Sequence, residues 1–469
     1  MRTDYRKIGL LDHMGLGNMG DAAIYDAFIM NISSRLPEAT LLGFSLYPEE
    51  TEKRHGLRSF PIRWSFPTGR QRMHEANSLP SNRSVKGFLK RQPIVYAFAK
   101  PFHDCMREMI HLWRSYKILS SLDLLIIAGG GQLTELYGDL PYNVFKFCAL
   151  ARLARTPVFM IGVGADLLEK PKNRFFAKWS VRLSNYCSFR SVESRNLIRS
   201  LGVQKKTDVC PDPAYSLSPE YVISKREEKI TAAEAKNLFR PIACGVDLEA
   251  NIAAEESYHQ QRVKVGINPM GFCDPRRYPR KDAAIYREYL DKIEAFCLWL
   301  LAHNYCIEIF TSDIVSDVLV MEDLANRLKD HAPLESYRRI SLKRCFTLRE
   351  LFVQMETFDF VVTSKFHGVI FSHLLSKPVI ALSYMKKIED LMLAMGHSRY
   401  CFNIERFDPQ ALRERFQDLV RDSSRLKLLF HKTCVDWSDA LRIHFDNLFY
   451  CADIRATPDN PLKMSSSIP

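Results

Sequence analysis

Short apolar runs that end in small or acidic residues and then feed helix-periodic stretches constrain this chain more than any other feature. In the first half these runs are Ile8–Asp12, Thr40–Leu46, Leu122–Ala128, Pro157–Val163, Tyr186–Arg190 and Asp208–Cys210. Strands that are apolar on both faces and alternate with helices belong to a parallel sheet covered on both sides. The second half repeats the alternation. A strand restarts at Arg262–Pro269, then come a helix near 285–303, a strand at Cys306–Phe310, a helix near 316–330 and a strand near 339–342. A helix at 347–357, a strand at Phe360–Thr363, a helix near 367–376, a strand at Val379–Ser383 and a helix at 386–396 complete it. At 469 residues the chain exceeds what one hydrophobic core serves, so two domains are expected. The pattern predicts an α/β protein of two doubly wound Rossmann-like domains facing across a cleft, a GT-B-like arrangement with its ligand between the strand C-termini.

Composition shifts set the expected bounds. Residues 1–218 form the first domain, with a polar, Arg-, Ser- and Pro-rich loop or flap near 50–95. A charged linker or insertion covers 219–261, and the second domain covers 262–408. Amphipathic helix over 409–450 is placed to pack back on the first domain, ahead of a frayed tail ending at 469.

The formal charge of +12 favours an anionic partner, either a phosphorylated small molecule or an anionic surface. The basic residues are scattered and form no repeat, which argues against nucleic acid. The 12 cysteines contain no CxxC pair, and the opening Met-Arg-Thr-Asp-Tyr-Arg-Lys lacks the apolar centre of a secretory leader. A reducing cytoplasm is expected. No apolar run reaches about 18 residues, so a membrane span is not expected. Attachment to the inner face of a membrane and the oligomeric state both stay open.

Several turns carry candidate chemistry. The first run breaks into Gly15, Gly17 and Gly20 around Asn18, and Asp21 opens a helix. Glycines permit a sharp turn and close approach, and a helix start favours a phosphate or carboxylate. The wording departs from the dinucleotide fingerprint and lacks the Lys-Ser/Thr pair of an ATP-type loop. Gly129-Gly130-Gly131 and Gly162-Val163-Gly164-Ala165-Asp166 close two further strands, serving either a ligand or packing. Arg190 at a strand end can clamp an anion bidentately or pair with a structural acid. Asp212, between two prolines, makes a rigid turn. In Ser364-Lys365-Phe366-His367-Gly368, extended backbone would put Lys365 and His367 on one side and Phe366 on the other. A cation beside an imidazole at a helix entrance can bind an anion and move a proton.

Taken in order, these motifs resemble the polysaccharide pyruvyl transferase family over roughly residues 8–400. The series is Gly17-Asn18-x-Gly20-Asp21-x-Ala23-Ile24, the glycine turns, Arg190, Asp212-Pro213-Ala214, Ser364-Lys365-Phe366-His367-Gly368 and Lys377-Pro378-Val379-Ile380 with Tyr384 and Lys387. The resemblance implies a GT-B-like transferase that needs no metal or cofactor and takes phosphoenolpyruvate as donor. It implies a pyruvate ketal formed on a glycan or lipid-linked saccharide acceptor. His367 and Asp21 are then expected to be catalytic. Asn18, Gly20, Gly130, Gly131, Arg190, Lys365, Phe366 and Gly368 are expected to bind substrate. The family's usual Arg-x-His reads Lys365-x-His367 here, and its Arg-Asp reads Arg190-Ser191. The other readings are a sugar-nucleotide glycosyltransferase of the same architecture, with Glu389 and Asp390 available for a ribose, and a member that assists polysaccharide assembly without turnover.

Overall fold

The computed structural model describes residues 5–12, 17–64, 93–136, 138, 140–225 and 262–450. Its first nine strands are β1 (Lys7–Leu11), β2 (Thr40–Ser45), β3 (Ser59–Pro61), β4 (Leu124–Ala128), β5 (Leu133–Thr134), β6 (Val158–Val163), β7 (Ala165–Asp166), β8 (Tyr186–Phe189) and β9 (Asp208–Val209). Seven of them make a parallel sheet in the order β3-β2-β1-β4-β6-β8-β9, and β5 pairs with β7 in a separate ribbon. The later strands are β10 (Lys264–Asn268), β11 (Cys306–Ile309), β12 (Ile340–Leu342), β13 (Phe360–Thr363), β14 (Val379–Ser383) and β15 (Cys401–Asn403). They form a second parallel sheet in the order β12-β11-β10-β13-β14-β15. In both sheets strand order reverses beside the first strand, between β1 and β4 and between β10 and β13. Two doubly wound domains thus face each other in the GT-B-like arrangement.

Alternation along the strands divides the first domain's core. Ile8, Leu10, Leu124, Ile126, Phe159 and Ile161 face one way, against the helix Met19–Ser33. Leu11, Leu125, Ile127, Val158, Met160 and Val163 face the other. There they meet Leu119, Val144, Phe147, Ala177 and Val181 of the helices Pro93–Leu119, Leu140–Leu153 and Pro171–Leu183. Burying each such Leu, Ile or Phe contributes about 1.5–3 kcal/mol, which fixes strand register strongly.

The long C-terminal stretch is two helices, Pro409–Arg421 and Ser423–Phe449. The second lies on the first domain: Arg35 pairs with Asp446 at 2.7 Å and Phe28 meets Phe445 edge-on at 5.5 Å between centroids. The segment read from sequence as a loop from residue 50 instead begins as the helix Pro48–His55, followed by edge strand β3. That helix is polar in sequence but buries Glu50, Thr51 and Arg54. Arg54 pairs with Glu50 and donates to the Phe346 carbonyl of the second domain at 3.0 Å. The last residues of that expected loop, 93–95, are helix as well, opening Pro93–Leu119; residues 65–92, most of the linker (226–261) and the tail from 451 lie outside the described residues.

Candidate active site

Each sheet ends at its reversal point in a loop rich in small and polar residues, and these two edges meet. Residues 13–16, with Gly15, lie outside the described residues. At Gly17 the chain has φ +71°, and a Cβ there would stand 2.6 Å from Ile314 of the second domain. Asn18 bridges Asp313 in antiparallel fashion; Met19 N–H donates to the Ser312 carbonyl (2.8 Å) and Ile314 N–H to the Gly17 carbonyl (3.2 Å). The glycine turn is thus stitched directly to the other domain.

Asn18 is the N-cap of the helix Met19–Ser33, its Oδ1 accepting from Gly20 N–H at 2.9 Å. That N–H is therefore already engaged by a side chain. Gly20 itself forms the bed of His367: a Cβ on Gly20 would stand 2.6 Å from Cε1 of that ring and closer still to Nδ1 and Cγ. The two motifs, nearly 350 residues apart in sequence, are in van der Waals contact.

Past β13 the backbone becomes helical at Phe366 rather than staying extended. Lys365 is the N-cap residue (φ −108°, ψ 137°), and Phe366–Leu374 is helix. The expectation that Phe366 points away from the site is corrected by that turn. Its ring faces the first domain, with the Arg190 guanidinium 4.7 Å and the Lys387 ammonium 5.5 Å from the centroid. Such cation–ring contacts add about 0.5–2 kcal/mol each. Gly368 is required by crowding, since a Cβ there would stand 2.9 Å from Asn268 Nδ2 and nearer to Thr363 Oγ1.

The cations are partnered. Arg190 pairs with buried Asp212 at 2.9 Å, and Asp212 Oδ1 also caps the turn Pro213–Ser216. Lys365 lies 2.7 Å from Asp317 and 3.3 Å from Asp313. Lys387 reaches Asp166 at 3.9 Å across the cleft. The cleft is accordingly not a simple basic pocket, because Arg190, Lys365 and Lys387 stand among five aspartates. Ser191, where the family tends to carry Asp, caps the helix Val192–Ser200 by accepting from Ser194 N–H at 3.1 Å, a task Asp and Ser perform equally.

This environment pushes two neighbouring groups in opposite senses. Burial, aided by Asp313, raises the Asp21 carboxyl to about 7, against the pull of Arg190, Lys387 and Lys365. Burial and those same cations hold the His367 imidazole neutral down to about 3. Asp317 is raised to about 6 by burial and by Asp313, with Lys365 opposing. Lys365 is held firmly charged: burial works against its charge, but Asp317 and Asp313 prevail.

Three buried polar groups around this junction have no hydrogen-bond partner: His367 Nε2, Asp166 Oδ1 and both amide atoms of Asn268. Unpaired buried groups are costly and uncommon, and they mark where a ligand's polar atoms can be met. Asn268 was not singled out from sequence, although a lone amide ending the apolar strand β10 was a readable signal. Gly130 and Gly131 occupy the β4 end, one strand over from β1. Gly130 has φ +67° and its carbonyl accepts from Gly164 N–H at 2.7 Å. Gly129 is needed for packing, as a Cβ there would stand 2.8 Å from Ile24. A depression of about 610 Å³ lined by Lys7, Thr40, Arg58 and Lys117 lies at the opposite, amino-terminal edge of the first sheet, remote from this chemistry. Among the described residues no three His, Cys, Asp or Glu side chains are grouped to hold a metal ion.

Known structures share the architecture. The UDP-GlcNAc 2-epimerase of Neisseria meningitidis bound to UDP-GlcNAc is 10% identical, with a TM-score of 0.54 over 94% of this chain and 98% of its own. A putative UDP-N-acetylglucosamine 2-epimerase from Listeria monocytogenes is 9% identical, with a TM-score of 0.55 over 94% and 96%. The N-terminal domain of Candida albicans trehalose-6-phosphate phosphatase is 11% identical, with a TM-score of 0.51 over 94% and 96%. At these identities the likeness is one of fold alone. Comparison with the curated proteins finds no match. The family model described as polysaccharide pyruvyl transferase matches residues 18–386, from the cap of the first helix to the start of the helix after β14. This chain belongs to the polysaccharide pyruvyl transferase family.

Proposed function

We propose that the protein transfers the enolpyruvyl carbon skeleton of phosphoenolpyruvate to two hydroxyls of a glycan or lipid-linked saccharide, forming a pyruvate ketal and releasing phosphate. The observation that carries this reading is the pairing of a raised carboxyl, Asp21, with a neutral imidazole, His367, at the junction of both strand-order reversals. Groups whose environments push their pKa values apart divide acid and base roles between them.

In this reading Asp21, protonated near neutral pH, delivers its proton to C3 of the donor. C2 becomes electrophilic, and the first sugar hydroxyl adds to it while His367 Nε2 takes the hydroxyl proton. The C2–O bond to phosphate then breaks, the proton held on His367 leaves with the phosphate, and the second hydroxyl closes the ketal. Its proton returns to Asp21. Arg190 and Lys387, both against the Phe366 ring, would receive the donor's phosphate and carboxylate. The charge of Lys365 is already shared between Asp313 and Asp317, so its part is to hold the turn into the helix that carries His367. Asn268, beside Gly368, supplies a donor and an acceptor for donor or sugar oxygens.

Thermal denaturation with phosphoenolpyruvate or with nucleotide sugars, followed by phosphate release with extracted glycan, tests the reading. Stabilisation by phosphoenolpyruvate and glycan-dependent phosphate release are expected. Stabilisation by a nucleotide sugar alone would replace it with glycosyl transfer.

A further inference from the structure

The helical layer on the outer side of the first sheet has a surface that the proposed reaction does not use. Along the helix Pro93–Leu119, Met106, Met109, Ile110, Trp113 and Tyr116 stand 38–61% exposed. Their spacing of three, one, three and three places them on one face. Single exposed apolar residues are ordinary, whereas a five-residue stripe is not. In the same layer, on the far side of the helix Leu140–Leu153, the helix Pro171–Leu183 adds Phe175 and Trp179, 50% and 37% exposed. Both exposed indoles carry a cation, with Lys117 Nζ 3.7 Å from the Trp113 ring centroid and Arg182 Cζ 5.2 Å from that of Trp179.

Charge is concentrated in the same region. From residue 103 onward on the first of these helices and along the whole of the second, seven Lys and Arg stand against two acids, Asp104 and Glu108. A second copy of this surface would meet it with like charge, whereas an anionic bilayer meets both the cations and the apolar stripe. Tryptophan with flanking Lys and Arg suits the headgroup boundary, where one end of the side chain is apolar and the other wet. No helix among the described residues is long and apolar enough to cross a membrane, so the contact would lie in the surface plane. In a parallel sheet the crossover helices run against the strands. The amino ends of this layer therefore lie at the same edge of the sheet as the cleft.

We propose that this face docks the protein on an anionic phospholipid membrane, with the Met106–Tyr116 stripe at the acyl boundary and its cations on lipid phosphates. This does not depend on the identity of the donor. The test is flotation of the full chain with vesicles of phosphatidylglycerol and phosphatidylcholine, against phosphatidylcholine alone. Binding to the anionic vesicles is expected, weakening as salt rises, with a loss of about tenfold or more in partitioning for the double variant Met109→Glu, Trp113→Glu. The variant's melting temperature and phosphate release with a soluble acceptor serve as controls for folding. Absence of wild-type binding to anionic vesicles, or undiminished binding by the variant, would overturn the proposal. So would a wild-type dimer that the variant abolishes without any vesicle binding.

Discussion

The His367 ring rests directly on the Cα of Gly20, so the helix start of one domain and the strand-to-helix turn of the other share a single van der Waals surface. Any side chain at position 20 must displace the imidazole. Alanine within a helix is otherwise favoured over glycine by about 1 kcal/mol, while overpacking costs about 1–3 kcal/mol. Gly20→Ala is therefore expected to destabilise the protein and lower turnover with His367 present. In a His367→Ala background the same change becomes neutral or stabilising. Urea unfolding of the four proteins of this cycle measures the coupling.

Asp21 and His367 contribute opposite pH dependences to stability. Asp21 holds its proton more tightly folded, at about 7 against an ordinary 3.8, so its contribution is complete below pH 3.8 and is lost as pH rises through 7. His367, at about 3 against an ordinary 6.5, contributes above pH 6.5 and loses that contribution as pH falls towards 3. In Asp21→Asn, stability should rise with pH between about 3 and 6.5. In His367→Asn it should fall between about 4 and 7, and the wild type should be flatter than either. Melting temperatures across pH 3–8 check this, and parallel curves for all three would refute it.

Lys365 separates two carboxylates in a buried place. Lys365→Ala should cost about 3–5 kcal/mol, as expected when a buried ion pair loses one partner. Removing a charge along with it, in Lys365→Ala with Asp317→Asn, should recover part of that loss. The sequence reading puts Lys365 among the substrate-binding residues, and a loss falling mainly on the donor's KM would follow from that. Denaturation midpoints beside the donor's KM separate a structural loss from a binding one.

Arg190 pairs with Asp212 in its own domain and stacks on Phe366 of the other. Arg190→Lys keeps the charge but loses the planar fork and its stacking. The donor's KM should rise about tenfold with a smaller change in kcat, because the loss falls on binding. Steady-state kinetics with varied phosphoenolpyruvate is the check.

Much of this architecture was readable because its strands are apolar on both faces: β13 and β14 run at Phe360–Thr363 and Val379–Ser383, as the sequence reading has them. The three-residue edge strands β3 and β15, and the two-residue β5 and β7, were missed. They are too short for a period of two to register. The helix Pro48–His55 was hidden because it buries a Glu–Arg pair rather than an apolar stripe. The glycine turn and the Lys-x-His turn stood out as motifs, but their contact, the acids around Lys365 and the role of Asn268 depend on how the domains face each other. Local pattern carries no information about that.

Pyruvate ketal on the surface glycan, quantified by mass spectrometry, tests the central claim most directly. The comparison is a strain lacking this gene, complemented with the wild type or with His367→Asn. The ketal should be absent from the deletion, restored by the wild type and not by the variant, although the variant accumulates as folded protein. Full restoration by His367→Asn, or a deletion strain with unchanged ketal, would contradict the account.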